Sequence, residues 1–303
     1  MSAAVCTLEN EALRLTVDAA RGGSITDLRG GASGDQWFLQ EPARREAWPP
    51  DHSVYDDVWS GGFEELFPND APGEFDGRAL PDHGELWNHP FDIVDASATT
   101  LRMRRDCTSV NAMVEKSITL DAEGAVATFT YRLTNRDRSP LWHLFKLHAA
   151  MRVEAGDRLL LPGGTVSPVE PGFGALSRAG DHAWPVLTDD DGRPLDLSVV
   201  RAASDRFREF VYVSGLPAGS CGLRRAHTGE SFVIEYPLSV FPHCWLFITY
   251  GGWRDYNTVV LEPCTNRPKD LAAAKAASAC AVLAPGEKRE FSIRIAIRGA
   301  DAA

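Results

Sequence analysis

Apolar and polar residues alternate with a period of two along most of this chain of 303 residues. In residues 124–135, GAVATFTYRLTN, every second residue from Ala127 to Leu133 is apolar, and the same period recurs in residues 289–298, REFSIRIAIR. Successive side chains of a β-strand point to opposite faces, so this pattern predicts half-buried strands. Residues 112–120 are followed by the polar turn DAEG, so we expect them to form a β-hairpin with the strand that comes after this turn.

The rest of the sequence adds strands and little helix. Further strand candidates are residues 12–17, 99–105, 141–153, 208–214, 231–237, 244–250 and 257–263. Only residues 268–280, PKDLAAAKAASAC, are predicted to be a helix, because proline starts a run of good helix formers. Many strands with so little helix predict an all-β fold, a large antiparallel sandwich that forms a single domain over residues 1–303. Residues 32–90 and 163–206 are rich in Gly, Pro and Asp and are predicted to be long loops that carry binding groups.

The net charge of the chain and the spacing of its cysteines limit which binding partners and which cellular compartment are expected. The formal net charge of −11 argues against nucleic acid and anionic membrane surfaces, which bind clustered Lys and Arg. The first residues have no basic region followed by an apolar one, and the longest apolar stretch is too short and interrupted to span a bilayer. Six well-separated cysteines without a C-x-x-C pair predict reduced thiols in a cytoplasmic protein. No feature of the sequence indicates the oligomeric state.

The first stretch that could carry chemistry is residues 80–91, LPDHGELWNHPF, which combines His83, Glu85 and Trp87. A sugar site needs an apolar ring face for the C–H side of the sugar and polar groups for its hydroxyls. Gly84 permits a backbone bend that a Cβ would resist. The alternative is that histidines beside Pro and Gly are ordinary loop residues.

The second stretch is residues 141–151, LWHLFKLHAAM, within a predicted strand. Alternation places Lys146 and His148 on one face and His143 on the other, so at most one of these histidines faces any given cavity. A single histidine in a strand is commonly a hydrogen-bonded packing residue. The pattern therefore selects a face and assigns no role.

The third stretch is residues 259–268, VVLEPCTNRP, in which a carboxylate follows a buried strand. An unpaired charge is costly there. Pro263 lacks an N–H and is predicted to end the strand ladder. Partial burial beside a cavity would raise the pKa of Glu262 and suit a general base. The alternative is a structural glutamate paired with a neighbour such as Arg267.

Taken in order, these motifs resemble the aldose 1-epimerase (galactose mutarotase-like) family. The resemblance rests on FPND, HGELW, LTN followed by PLWHLFKLH, VVLEPCTNRP and finally LAPGE, and it extends from about residue 10 to residue 298. It implies a β-supersandwich of large antiparallel sheets that binds a small-molecule sugar in an open groove. Members of the family interconvert the α and β anomers of aldoses without a metal or organic cofactor.

The resemblance also implies roles for particular residues. Glu262 matches the general base, His148 is the choice for the general acid, and His83 matches the histidine that hydrogen-bonds the sugar near its ring oxygen. The further candidates for substrate binding are Asn69, Glu85, Trp87, Lys146 and Trp253. A base and an acid on opposite sides of the hemiacetal can exchange roles as the ring opens and closes.

One departure from the family leaves the substrate open. Galactose mutarotases commonly have arginine after the asparagine that precedes the His-Gly motif, whereas Asn69 is followed here by Asp70. Lys146 raises the possibility of an anionic sugar. Two other functions stay open, a non-catalytic carbohydrate-binding or sensing protein on the same scaffold and a metal-dependent sugar isomerase or lyase that uses His83, Glu85 and His148.

Overall fold

The computed structural model describes residues 5–41 and 54–300, and the regular structure in them is nearly all β. In chain order the strands are β1 (Val5–Glu9), β2 (Leu13–Asp18), β3 (Ser24–Gly30), β4 (Gly62–Leu66), β5 (Gly73–Phe75), β6 (Arg78–Leu80), β7 (Asp92–Ala96), β8 (Thr100–Asp106), β9 (Ala112–Leu120), β10 (Val126–Asn135), β11 (Leu141–His143), β12 (Lys146–Arg152), β13 (Arg158–Leu160), β14 (Thr165–Pro168), β15 (His182–Ala183), β16 (Val186–Thr188), β17 (Pro194–Asp196), β18 (Phe207–Ser214), β19 (Ser220–Arg224), β20 (Ser231–Glu235), β21 (His243–Tyr250), β22 (Asn257–Cys264), β23 (Ala281–Leu283) and β24 (Lys288–Arg298). The helices are α1 (Tyr55–Val58) and α2 (Leu271–Ala276), and a 3-10 turn covers Ala203–Asp205.

Two large antiparallel sheets contain most of these strands, which confirms the predicted fold class. The ten-stranded sheet has the order β1-β2-β3-β4-β12-β22-β21-β18-β14-β15. The eight-stranded sheet has the order β13-β19-β20-β24-β10-β9-β8-β7. The pairs β5–β6, β11–β23 and β16–β17 form small ribbons beside them.

The hydrophobic core lies between the inner faces of the two large sheets. Phe63 of β4 packs on Phe129 of β10, with the ring centroids 5.7 Å apart. Phe129 pairs with Ile293 on the neighbouring strand, and both side chains are buried. Burial of each such side chain stabilises the fold by about 1.5–3 kcal/mol. The period-two pattern of the sequence therefore identified the core face of this sheet correctly, and the hairpin of β9 and β10 is confirmed.

Two details of the predicted strands are wrong. Residues 141–153 form two strands in different sheets, because the chain leaves the ladder at residues 144–145, where the Leu144 N–H donates to the Pro68 carbonyl. The second correction concerns Pro263, which does not end β22. Cys264 still pairs with His243. A missing N–H removes one hydrogen bond on one side of a strand and leaves the rest of the ladder in place.

The two predicted loop regions contain regular structure that the sequence pattern did not indicate. Strand β4, GFEEL, lies within residues 32–90, and all five of its residues are buried. Residues 42–53 of that region lie outside the described residues. Four short strands, β14 to β17, interrupt residues 163–206. The predicted helix is confirmed as α2, which is shorter than its sequence pattern and begins after Asp270, whose carboxylate accepts the Ala273 N–H at 2.7 Å.

Among the residues that the structure describes, neither helix approaches the length and apolar character of a membrane-spanning segment.

Candidate active site

His148 and Glu262 lie on neighbouring strands of the ten-stranded sheet, β12 and β22. Their sequence neighbours Leu147 and Leu261 are fully buried in the core, so the alternation of the strands turns both polar side chains to the opposite face. Lys146 lies on that face too, two residues before His148. This outer face of the sheet forms the floor of a cavity of about 260 Å³.

The cavity is enclosed by loops and by aromatic side chains that project from the sheet. Its lining consists of Tyr55, Asp56, Trp59, Asp70, His83, Lys146, His148, Glu170, Phe173, Phe210, Phe247, Trp253, Val260, Glu262 and Lys269. Aromatic faces beside converging carboxylate, ammonium and imidazole groups are what a carbohydrate site requires.

His83 reaches the cavity because two consecutive residues take the left-handed conformation. The φ angles of His83 and Gly84 are 58° and 68°. A Cβ on Gly84 would lie 2.2 Å from the Phe67 carbonyl oxygen, so only glycine fits this approach. The Asp82 carboxylate accepts hydrogen bonds from His83 Nδ1, at 2.8 Å, and from the Tyr55 N–H, also at 2.8 Å. The loop therefore presents the imidazole in one fixed orientation.

The charges around His83 favour its protonated form. Burial alone would lower the pKa of the imidazole, but the hydrogen bond to Asp82 and the negative charge of Asp70 raise it above its ordinary value. His83 also stacks on the Tyr55 ring, with centroids 4.0 Å apart and planes 11° from parallel.

Lys146 joins two carboxylates that the sequence separates widely. Its ammonium group donates to the Asp70 carboxylate and lies 2.6 Å from Glu262 Oε2, so it forms an ion pair with both carboxylates. Lys146 Nζ also lies over the Trp245 ring, 4.3 Å from the ring centroid. Burial alone would lower the pKa of Lys146, but the two carboxylates raise it above its ordinary value, so the lysine stays charged.

The two carboxylates respond in opposite directions to this shared cation. Burial raises the pKa of Glu262, and Lys146 offsets this only in part. For Asp70, burial is outweighed by the combined effect of the charges of Lys146 and His83 and the hydrogen bond from Lys146, and the pKa is lowered. Asp70 is therefore the carboxylate that stays ionised beside the lysine, and Glu262 is the one that takes up a proton more readily.

His148 has the opposite charge preference from His83. Burial, followed by the positive charges of Lys146 and His83, lowers its pKa well below the ordinary value, so the neutral imidazole is favoured. Its Nδ1 lies 3.2 Å from the Tyr55 hydroxyl, and its Nε2 lies 4.0 Å from Glu262 Oε1. His143 lies outside this cavity, with Nδ1 directed at the Leu141 carbonyl, so the prediction that only one of these histidines faces it is confirmed.

Three predicted binding residues do not line the cavity, and each supports its loops instead. The Asn69 side-chain amide donates to the carbonyls of Ala71 and Pro81, which ties the two loops together. Trp87 Nε1 donates within its own loop, to the Asp82 and Gly84 carbonyls, both at 3.1 Å.

The Glu85 carboxylate accepts two N–H groups and one hydroxyl from residues 108–109, away from the cavity. The metal-site hypothesis fails for the same reason, because the loop turns Glu85 away from His83 and His148. Across residues 5–41 and 54–300, no cluster of three or more His, Cys, Asp or Glu side chains could hold a metal ion.

The suggested pairing of Glu262 with Arg267 is also wrong. The guanidinium of Arg267 donates to the hydroxyls of Ser167 and Ser214, each at 3.1 Å, and Lys146 takes the position beside the glutamate. Of the predicted binding residues, Lys146 and Trp253 do line the cavity.

Sequence reasoning missed the contribution of residues 54–60, VYDDVWS, to the cavity wall. Tyr55 and Trp59 are both buried there, with ring centroids 6.2 Å apart, and Trp59 also packs on His148. Two aromatic residues interleaved with aspartates in a loop were the available signal. Asp70 was noted only as a departure from the family motif, and its pairing with Lys146 gives that departure a structural role.

Comparison with known proteins places the fold. No protein-family model and no curated protein matches the chain. Solved structures do match. A candidate aldose 1-epimerase from Escherichia coli K12 is 17% identical, with a TM-score of 0.70, and the match covers 97% of this chain and 99% of that one. A galactose mutarotase-like protein from Lactobacillus casei ATCC 334 is 15% identical, with a TM-score of 0.68 and coverage of 97% and 100%. The Slr1438 protein from Synechocystis sp. PCC 6803 is 16% identical, with a TM-score of 0.73 and coverage of 97% and 96%.

The chain therefore has the fold of the aldose 1-epimerase and galactose mutarotase-like proteins, as the sequence motifs predicted. At these identities the similarity concerns the architecture alone.

Proposed function

We propose that the protein is an aldose 1-epimerase-like enzyme that interconverts the α and β anomers of an aldose. The observation that carries the proposal is the convergence of Glu262, His83 and His148 on one aromatic-walled cavity. These residues lie far apart in the sequence, and they are the ones to which the family resemblance gives roles. The mutarotase-like fold of the chain supports the same substrate class, a small-molecule sugar.

Ring opening needs one group that removes the proton of the anomeric hydroxyl and another that protonates the ring oxygen. Glu262 is suited to the first task, because its raised pKa makes its ionised form a stronger base than an ordinary carboxylate. As the proton leaves the anomeric hydroxyl, the bond between C1 and the ring oxygen breaks and the aldehyde forms. Rotation of the aldehyde followed by the reverse transfers closes the ring as the other anomer.

The proton for the ring oxygen has two possible sources in the cavity. The family resemblance gives this role to His148, and no observation on the protein tests it. The charges favour His83, since its pKa is raised while that of His148 is lowered. We therefore assign proton donation to His83, with His148 as a hydrogen-bonding partner of the sugar.

The test is anomer equilibration followed by NMR over a panel of neutral, phosphorylated and acidic aldoses. Glu262→Gln keeps the shape of the side chain and removes the base, so the rate should fall by about 10²–10⁴-fold. The control is Glu85→Gln, another buried carboxylate that lies outside the cavity and should leave the rate unchanged. Full activity in the folded Glu262→Gln protein would refute the assignment.

A non-catalytic sugar-binding function is the second candidate, favoured by the cation that lies against the proposed base. Lys146 beside Glu262 weakens a general base if the contact persists with sugar bound. Clear binding of a sugar, with no aldose in the panel equilibrating faster than in buffer, would establish this alternative.

A further inference from the structure

Three buried side chains, those of His148, Tyr55 and Glu64, contact one another in series between the cavity and strand β4. The Tyr55 hydroxyl donates to Glu64 Oε2 at 2.7 Å and lies 3.2 Å from His148 Nδ1. Glu64 on β4 and His148 on β12 are directly opposite each other in the ladder, and α1 places Tyr55 across both. All three side chains are more than nine-tenths buried.

The direction of these two contacts follows from counting protons. A phenol has one proton to donate, and the shorter contact goes to the carboxylate, which accepts only. Burial, followed by the negative charge of Glu64, raises the pKa of Tyr55, so the phenol keeps that proton. The hydroxyl oxygen can then only accept from the imidazole, and Nδ1 of His148 must carry a hydrogen.

The other ring nitrogen is consequently left without one. A neutral imidazole has a single N–H, and the burial of His148 beside Lys146 and His83 favours the neutral ring. Nε2 is then an acceptor, 4.0 Å from Glu262 Oε1 and too far from it for a hydrogen bond. It lies at the cavity floor beside the proposed base, where a sugar hydroxyl can donate to it.

We infer that Tyr55, held by Glu64, is a positioning residue that fixes His148 in its Nδ1–H tautomer, so that Nε2 accepts a hydrogen bond from a hydroxyl of the bound sugar. The inference rests on the proposed function for the identity of the ligand, and on the protein alone for the tautomer. The same tyrosine stacks on His83, so one side chain orients both imidazoles. His148 then has no proton to give from Nε2, which leaves proton donation to His83.

The tautomer can be measured without a substrate. In long-range proton–nitrogen NMR spectra of ¹⁵N-histidine-labelled protein at neutral pH, His148 is assigned by comparison with His148→Gln. We expect its Nδ1 to have the shift of a protonated nitrogen and its Nε2 that of an unprotonated one. An N–H on Nε2, or an imidazolium, in the wild-type protein would overturn the inference.

Substitution of the tyrosine tests whether it sets the tautomer. Tyr55→Phe keeps the ring on His83 and removes the hydroxyl, so the Nε2–H form of His148 should become populated and kcat/KM should fall about tenfold, as for loss of one hydrogen bond. The matched control is Tyr131→Phe, which removes the hydrogen bond of a buried tyrosine to Glu65 in the core, 2.6 Å long.

The control should lower stability and leave both the His148 spectrum and the kinetics unchanged. An unaltered spectrum in Tyr55→Phe, or an equal change in Tyr131→Phe, would overturn the positioning role. The expected tautomer in a protein that equilibrates no sugar would refute the proposed function and leave the tautomer assignment intact.

Discussion

The protein buries two lysine ammonium groups in opposite surroundings. Lys116 lies in the core between the sheets, with Nζ 2.7 and 2.9 Å from the two oxygens of Glu65 and 2.9 Å from the Gly23 carbonyl. Lys146 lies at the cavity floor between Asp70 and Glu262. Lys116 therefore contacts one carboxylate, whereas Lys146 contacts two.

The number of carboxylates beside each ammonium group distinguishes a structural ion pair from one that can take part in proton transfer. Lys116 and Glu65 form a buried pair of equal and opposite charges in which each partner also has a hydrogen bond to another group. In the second site the lysine cannot fully compensate both carboxylates, and one of them is held closer to protonation. Glu262 is that carboxylate, because burial raises its pKa while the pKa of Asp70 is lowered.

The largest effect should come from breaking the core pair. Lys116→Met leaves Glu65 buried without a cation, so the free energy of unfolding should fall by about 3–5 kcal/mol. Denaturant titration measures the loss, and the double variant Lys116→Met/Glu65→Leu should recover much of it, because it buries no unpaired charge. Anomer equilibration per folded molecule should stay unchanged. A single variant as stable as the wild type would show that the pair does not stabilise the core.

A smaller and asymmetric effect is expected at the cavity floor. At neutral pH Asp70→Asn should reduce stability by about 1.5–3 kcal/mol, through loss of a charged hydrogen bond to Lys146. Glu262→Gln should cost less or even stabilise, since folding disfavours its ionised form. Equal losses in the two variants would contradict the proposed division between the carboxylates.

The pH dependence of unfolding sharpens the same comparison. The lowered pKa of Asp70 contributes stability above its ordinary pKa, which is lost as the pH falls through the folded value. The raised pKa of Glu262 has the opposite sign, because stability is lost as the pH rises through its folded value. Glu262→Gln should therefore flatten the decline on the neutral side, and Asp70→Asn should flatten the decline on the acid side.

The smallest effect should come from the cavity wall. Trp253 is partly exposed and packs edge-on against Phe247 and stacks on Tyr256, so Trp253→Ala removes an aromatic surface without opening the core. Loss of one aromatic contact with the sugar should weaken binding by about 0.5–1.5 kcal/mol, which raises KM several-fold. Initial-rate kinetics should show the change in KM with kcat nearly constant, and a large fall in kcat would instead assign Trp253 a role in the chemical step.

Sequence alone predicted most of the fold and the strand-borne part of the site. The alternation in residues 124–135 and 289–298 identified the core face, and alternation around His148 placed Lys146 on the same side. A period of two gives the face of a residue, but not the strand that lies next to it. The pairing of Lys146 with Asp70, across 76 residues, therefore could not be read from the pattern.

The errors have equally local causes. Strand β4 carries Glu64 and Glu65 on opposite faces, one toward the cavity and one toward the core, and both are buried. A strand buried on both faces shows no alternation, and the Gly, Pro and Asp content of residues 32–90 favoured a loop. Glu85 was grouped with His83 by proximity in sequence, whereas the bend at Gly84 sends the two side chains in different directions.

That bend also has a practical consequence for redesign. Because the carbonyl of Phe67 occupies the place of any Cβ on Gly84, this position beside His83 admits no other residue unless the backbone moves. Elsewhere on the rim the same constraint applies to Gly251 and Gly252, whose Cβ positions are occupied by backbone oxygens, whereas the side chains of Trp253 and Lys269 are partly exposed. A library intended to change which sugar enters should therefore be confined to Trp253 and Lys269.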